Sequence, residues 1–107
     1  MNIQASLILQ DWLERNRTTI LRAGIKFELR LQSEKDTFNK AALTLDARSM
    51  LASLTVWGNG MVEYIVVNGD SGDDISSTDV ECKDECDLDE KLDGFLLNFR
   101  ELIADNG

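Results

Sequence analysis

Histidine is absent from the chain. With it go the usual general base, the usual activator of a serine or cysteine nucleophile, and the commonest metal ligand. Cysteine is scarce: Cys82 and Cys86 are the only two, and a structural zinc site wants four cysteines or a cysteine–histidine mixture. Their Cys-x-x-x-Cys spacing is not the Cys-x-x-Cys of redox motifs, and in a reducing cytosol two free thiols are expected. No Gly-x-Gly-x-x-Gly follows a strand-like run, and no Gly-x-x-x-x-Gly-Lys-Ser/Thr phosphate loop occurs. Catalysis would have to rest on carboxylates, serine and tyrosine alone, and no cofactor or metal is expected. Long apolar runs are missing too, the longest being Tyr64-Ile65-Val66-Val67, whereas a spanning helix needs ~20 apolar residues. The start, Met1-Asn2-Ile3-Gln4, has no basic residue, and Asp11 interrupts the apolar stretch behind it. No signal peptide is therefore expected, and a cytoplasmic location is the default.

What is present fits one soluble domain over residues 1–107. At 43% hydrophobic and 29% charged the chain has the composition of a globular protein, able to bury roughly two-thirds of its surface. Its charge is unevenly placed. Residues 1–50 carry eight basic and six acidic side chains, and residues 51–107 carry three and fourteen, so a near-neutral half is joined to one of net −11. Eleven of the acids fall within residues 70–93. Such a charge disfavours nucleic-acid binding, which needs a basic surface for phosphates, and an anionic membrane would repel it. A basic protein is the natural partner. The plainer reading is that these acids serve solubility.

Periodicity supplies the elements. Ala5, Ile8, Leu9, Trp12, Leu13, Asn16 and Ile20 form one stripe of a helix over residues 3–22, with Gly24 placed to end it in a left-handed conformation. Strict alternation then predicts a strand over 25–32 with Phe27 and Leu29 on its apolar side, a polar connection over 33–39, and a second strand over 40–47. Runs at 51–57 and 61–67 flank Gly58-Asn59-Gly60, a hairpin turn in which Asn and Gly would take positive φ. A weaker strand follows over 75–82. Leu88, Leu92, Phe95, Leu96, Phe99 and Ile103 mark a closing helix, with Asp87 and Glu90 at capping-box spacing. Short connections predict an α+β fold: an antiparallel meander of four or five strands with both terminal helices on one face.

The candidate sites divide by chemistry. An EF-hand frame started at Asn68 puts Gly72 and Asp73 at positions five and six, so it fails. Paired carboxylates such as Asp84/Glu85 suit glycosidase chemistry only inside a deep cleft, and acids this dense on a polar run are a solvated surface. Trp57 shares a strand side with Ser53 and Thr55, opposite Ala52, Leu54 and Val56. It is an exposed interface anchor if the second set faces the helices, and core cover if it does not. Tyr64 flanks Trp57 or is buried. The binding candidates are Trp57 with Asp70, Asp73, Asp74, Asp79, Glu81, Asp84 and Glu85.

Asp11-Trp12-Leu13 in an opening helix, alternating strands, Leu54-Thr55-Val56-Trp57-Gly58-Asn59-Gly60, an acidic turn and a closing amphipathic helix together resemble the TriTu family of immunity proteins. The resemblance implies a cognate toxin carried on an Rhs protein of type VI secretion, one that ADP-ribosylates elongation factor Tu from NAD. It also implies a non-enzymatic inhibitor, a monomer or a one-to-one heterodimer with the toxin. Carboxylates would occupy the basic or NAD-binding cleft, where arginine or lysine holds a pyrophosphate. A small acidic secretion chaperone and a nucleic-acid mimic are the alternatives. The first would be a stable dimer, and the second would spread its acids along one long face.

Overall fold

A computed structural model describes residues 4–31 and 40–105. Its elements are α1 (Ala5–Arg22), β1 (Lys26–Leu31), β2 (Lys40–Ala47), β3 (Met50–Trp57), β4 (Met61–Asn68), β5 (Asp74–Glu81) and α2 (Glu85–Asp105). The strands form one sheet in chain order, β1-β2-β3-β4-β5, every pair antiparallel. This is the expected α+β meander with five strands. Each strand ends within one residue of its sequence-based bounds. The connection over 33–39 lies outside the described residues.

Both helices cover the same side of the sheet. Leu43, Leu54 and Tyr64 lie in one cross-strand row, and they share a single buried cluster with Leu9, Trp12 and Ile20 of α1 and Leu92 and Phe99 of α2. Of the side chains that periodicity turns inward, Trp12, Leu13, Leu43, Leu54, Leu96 and Phe99 are buried. Ile8, Phe27, Leu29 and Phe95 are half-buried against it. Each aliphatic or aromatic side chain buried in full contributes ~1.5–3 kcal/mol. The helices are also joined by polar contacts: the Trp12 indole donates to Asp93 at 2.9 Å, and the Arg15 guanidinium donates to Asp89 at 3.1 Å while also pairing with Asp11 of its own helix at 3.2 Å.

The helix ends follow from local chemistry. At the end of α1, Gly24 (φ +77°) donates to Leu21 O, and Ile25 donates to Ile20 O. This is a Schellman closure in which the two buried isoleucines supply the accompanying apolar contact. α2 begins earlier than its sequence frame implied. Its cap is Asp84, whose Oδ1 accepts the Asp87 N–H at 2.8 Å, while Asp87 Oδ2 accepts the Lys83 N–H at 2.9 Å. The Asp87/Glu90 frame is one turn too late.

Two turns differ from expectation or from ordinary chemistry. In the β3–β4 hairpin Gly60 alone takes positive φ, at 93°; Asn59 instead accepts the Met61 N–H on its side chain at 3.0 Å. In the β2–β3 hairpin the left-handed positions are filled by Arg48 and Ser49, at φ 49° and 66°. Each costs roughly 1–2 kcal/mol for a residue with a Cβ. Anchors offset this: Arg48 Nη1 donates to the Ile103 carbonyl of α2 at 3.1 Å, and Ser49 O accepts the Gly69 N–H.

Candidate functional site

Among the described residues no helix lies on the second face of the sheet. Because Ala52, Leu54 and Val56 are buried beneath the helices, alternation turns Ser53, Thr55 and Trp57 to this open face. Trp57 is half-buried there. Lys40, its cross-strand partner, holds its ammonium 5.5 Å from the indole centroid, within cation–π range. Trp57, Asn59, Met61, Glu63 and Asp79 line a shallow hollow at this end of the sheet. Tyr64 does not flank Trp57. It points to the helices, stacks on Phe95 with centroids 4.6 Å apart, and donates its hydroxyl proton to Asn98 Oδ1 at 2.8 Å. Burial pushes its phenol well above the ordinary value.

The acidic run, continuous in sequence, is divided by the fold. The Gly69 bond to Ser49 places the β4–β5 turn beside the β2–β3 turn, and the Cys82 N–H bond to Gly60 O at 2.8 Å places the start of α2 beside the β3–β4 turn. Asp70, Asp73 and Asp74 therefore sit at one end of the sheet. Glu81, Asp84 and Glu85 sit at the other, with Asp79 two residues in along β5. The seven steps of β5 separate the two groups by ~23 Å at ~3.3 Å per residue. Trp57 belongs to the second end. Several acids have structural work: Asp84 caps α2, Asp89 pairs with Arg15 and Asp93 accepts from Trp12.

Glu63 is the acid that sequence reasoning missed. It lies outside the acidic run, in a strand apolar on both sides, but it is the cross-strand neighbour of Asp79. Both residues stand on the open face.

Among the described residues, no group of three or more cysteine, aspartate or glutamate side chains is placed to hold a metal ion. Donors of the β4–β5 turn are used internally, Asn68 Oδ1 accepting the Asp70 and Ser71 N–H groups. Cys82 is buried and Cys86 exposed, both as free thiols. Burial first, and Asp87 second, push the Cys82 thiol up. No helix among the described residues is long and apolar enough to cross a membrane.

The described residues form a helix-backed antiparallel meander whose second face is partly apolar and bordered by acids. The model of the TriTu immunity protein family matches residues 8–98, and the chain belongs to that family. No curated protein and no solved structure gives a significant match.

Proposed function

We propose that this protein binds and neutralises a cognate antibacterial toxin, the ADP-ribosyltransferase domain of an Rhs protein delivered by type VI secretion. Membership of an immunity family carries the reading, because such proteins act by binding a toxin. The mechanism is occlusion. Trp57 anchors the contact on the open face, and carboxylates of the neighbouring end enter the cleft where the toxin's arginine or lysine residues would hold the pyrophosphate of NAD. The protein works in the cytoplasm, as a one-to-one complex, with no turnover of its own.

The test is inhibition of NAD-dependent modification of elongation factor Tu by the purified toxin domain. One equivalent of the protein should abolish it, and the two should co-elute as a heterodimer. Full toxin activity in the presence of excess protein would overturn the proposal. A stable homodimer that engages only unfolded toxin would replace inhibition with chaperoning.

A further inference from the structure

One cross-strand row of the open face has unmet bonding capacity. Glu63 on β4 and Asp79 on β5 are cross-strand partners, so two like-charged side chains leave the sheet from opposed positions, an arrangement that destabilises it. Among the described residues neither side chain takes part in an ion pair or hydrogen bond. Thr55 continues the row on β3, opposite Glu63. It is the buried polar residue of the described chain, only 7% exposed, on a face that no helix covers. Its hydroxyl also has no partner among the described residues. A threonine hydroxyl without a protein partner keeps its acceptor lone pairs for a docked donor. Trp57, two residues along on the same side of β3, borders the row and already carries one cation on its ring.

We infer that Thr55, Glu63, Asp79 and Trp57 form a receptor for a single arginine side chain of the toxin. The inference rests on the toxin-neutralising reading and assigns its contact to one end of the molecule. A guanidinium has five N–H donors in a planar fork that matches carboxylates, and its flat face stacks on an aromatic ring. The row offers two carboxylates, a hydroxyl acceptor and an indole. A lysine ammonium would meet the charge and can sit over the ring, as Lys40 does, but it has neither the bidentate fork nor a flat face to stack. An arginine taken from a pyrophosphate-binding cleft and lodged here no longer holds NAD. Binding and inhibition thereby become one event.

Two measurements test this separately from the toxin reading. In the first, N-acetyl-arginine amide is titrated into the isotope-labelled protein. Saturable shifts of the Thr55 amide and Trp57 indole signals are expected in the millimolar range, weaker with N-acetyl-lysine amide and lost in the Glu63→Gln/Asp79→Asn variant. Absent shifts, or equal shifts in that variant, overturn the receptor. In the second, the same variant should bind the toxin domain at least about thirtyfold more weakly, with an unchanged or raised Tm because a like-charge pair is removed. Asp70→Asn/Asp73→Asn, at the far end, should bind like wild type. If wild type binds the toxin and the Glu63→Gln/Asp79→Asn variant binds equally well, the receptor is wrong. If arginine amide binds as expected but wild type does not bind the toxin, the receptor stands and the toxin reading fails.

Discussion

Trp57 and Tyr64 lie on adjacent strands and face opposite ways, so the same class of substitution should have opposite consequences. Trp57→Ala removes an exposed cation–π contact with Lys40, worth about 0.5–1 kcal/mol, and should leave thermal stability nearly intact. Loss of a buried interface anchor is worth ~2 kcal/mol, roughly thirtyfold in Kd, so the toxin should dissociate faster. Melting temperature and dissociation rate measured on one variant check both halves. Tyr64→Phe keeps the stack on Phe95 but loses the bond to Asn98, which should cost about 1 kcal/mol. Its pH dependence has a definite sign. Burial raises the folded phenol above the ordinary 10.0, so below pH 10 both states hold the proton, while above it the unfolded chain alone ionises. Stability should fall as pH rises past 10, and Tyr64→Phe should flatten that fall in melts recorded between about pH 9 and 11. Tyr64 could not be oriented from sequence, because residues 61–67 are apolar on both parities, and Trp57 depended on which side of β3 the helices cover. The same ambiguity hid Glu63, whose neighbours Met61 and Ile65 look like a core face until the helices are seen to cover the other.

Among the elements, strands were the most legible. A two-residue period fixes both the span and the faces of β1 and β2, and the end of α1 follows from Gly24, where only glycine takes positive φ without strain. The start of α2 was not legible, because Asp84, Asp87 and Glu90 recur at intervals of three and supply two equivalent capping frames. The fold uses the first, adding a turn while keeping Leu88 on the buried stripe. A structural role for Asp84 has a measurable consequence. Asp84→Ala should cost about 1 kcal/mol, lowering Tm by roughly 4 °C or more in a domain this size. Asp84→Asn, an equally good cap, should melt close to wild type. Equal melting of the two variants would show that the cap contributes nothing. The substitution to asparagine is accordingly the one that isolates charge.

For the molecule as a whole, charge has to be read with distance. The total of −9 suggested one acidic region, but the turn acids and the acids beside Trp57 are ~23 Å apart along β5, more than twice the ~8 Å screening length at physiological salt. Only the group at the proposed interface should steer encounter. Neutralising Asp79 and Glu81 is expected to slow association at low salt and flatten its salt dependence, whereas neutralising Asp70 and Asp73 should do neither. Stopped-flow mixing with the toxin domain across a salt series distinguishes them, and equal effects of the two pairs would mean the field is read as a whole. The meander bears on a different matter, the order in which the chain assembles. Every strand pairs with its neighbour in sequence, so the sheet grows by hairpin closures that sacrifice little loop entropy. The helix seam is the exception, since Trp12 and Asp93 are 81 residues apart and Arg15 and Asp89 are 74 apart. Contacts so distant in sequence are expected to close late, after the local hairpins. The open face is then expected to form by local steps before the two ends of the chain are fastened together, so that the face proposed to meet the toxin is present early.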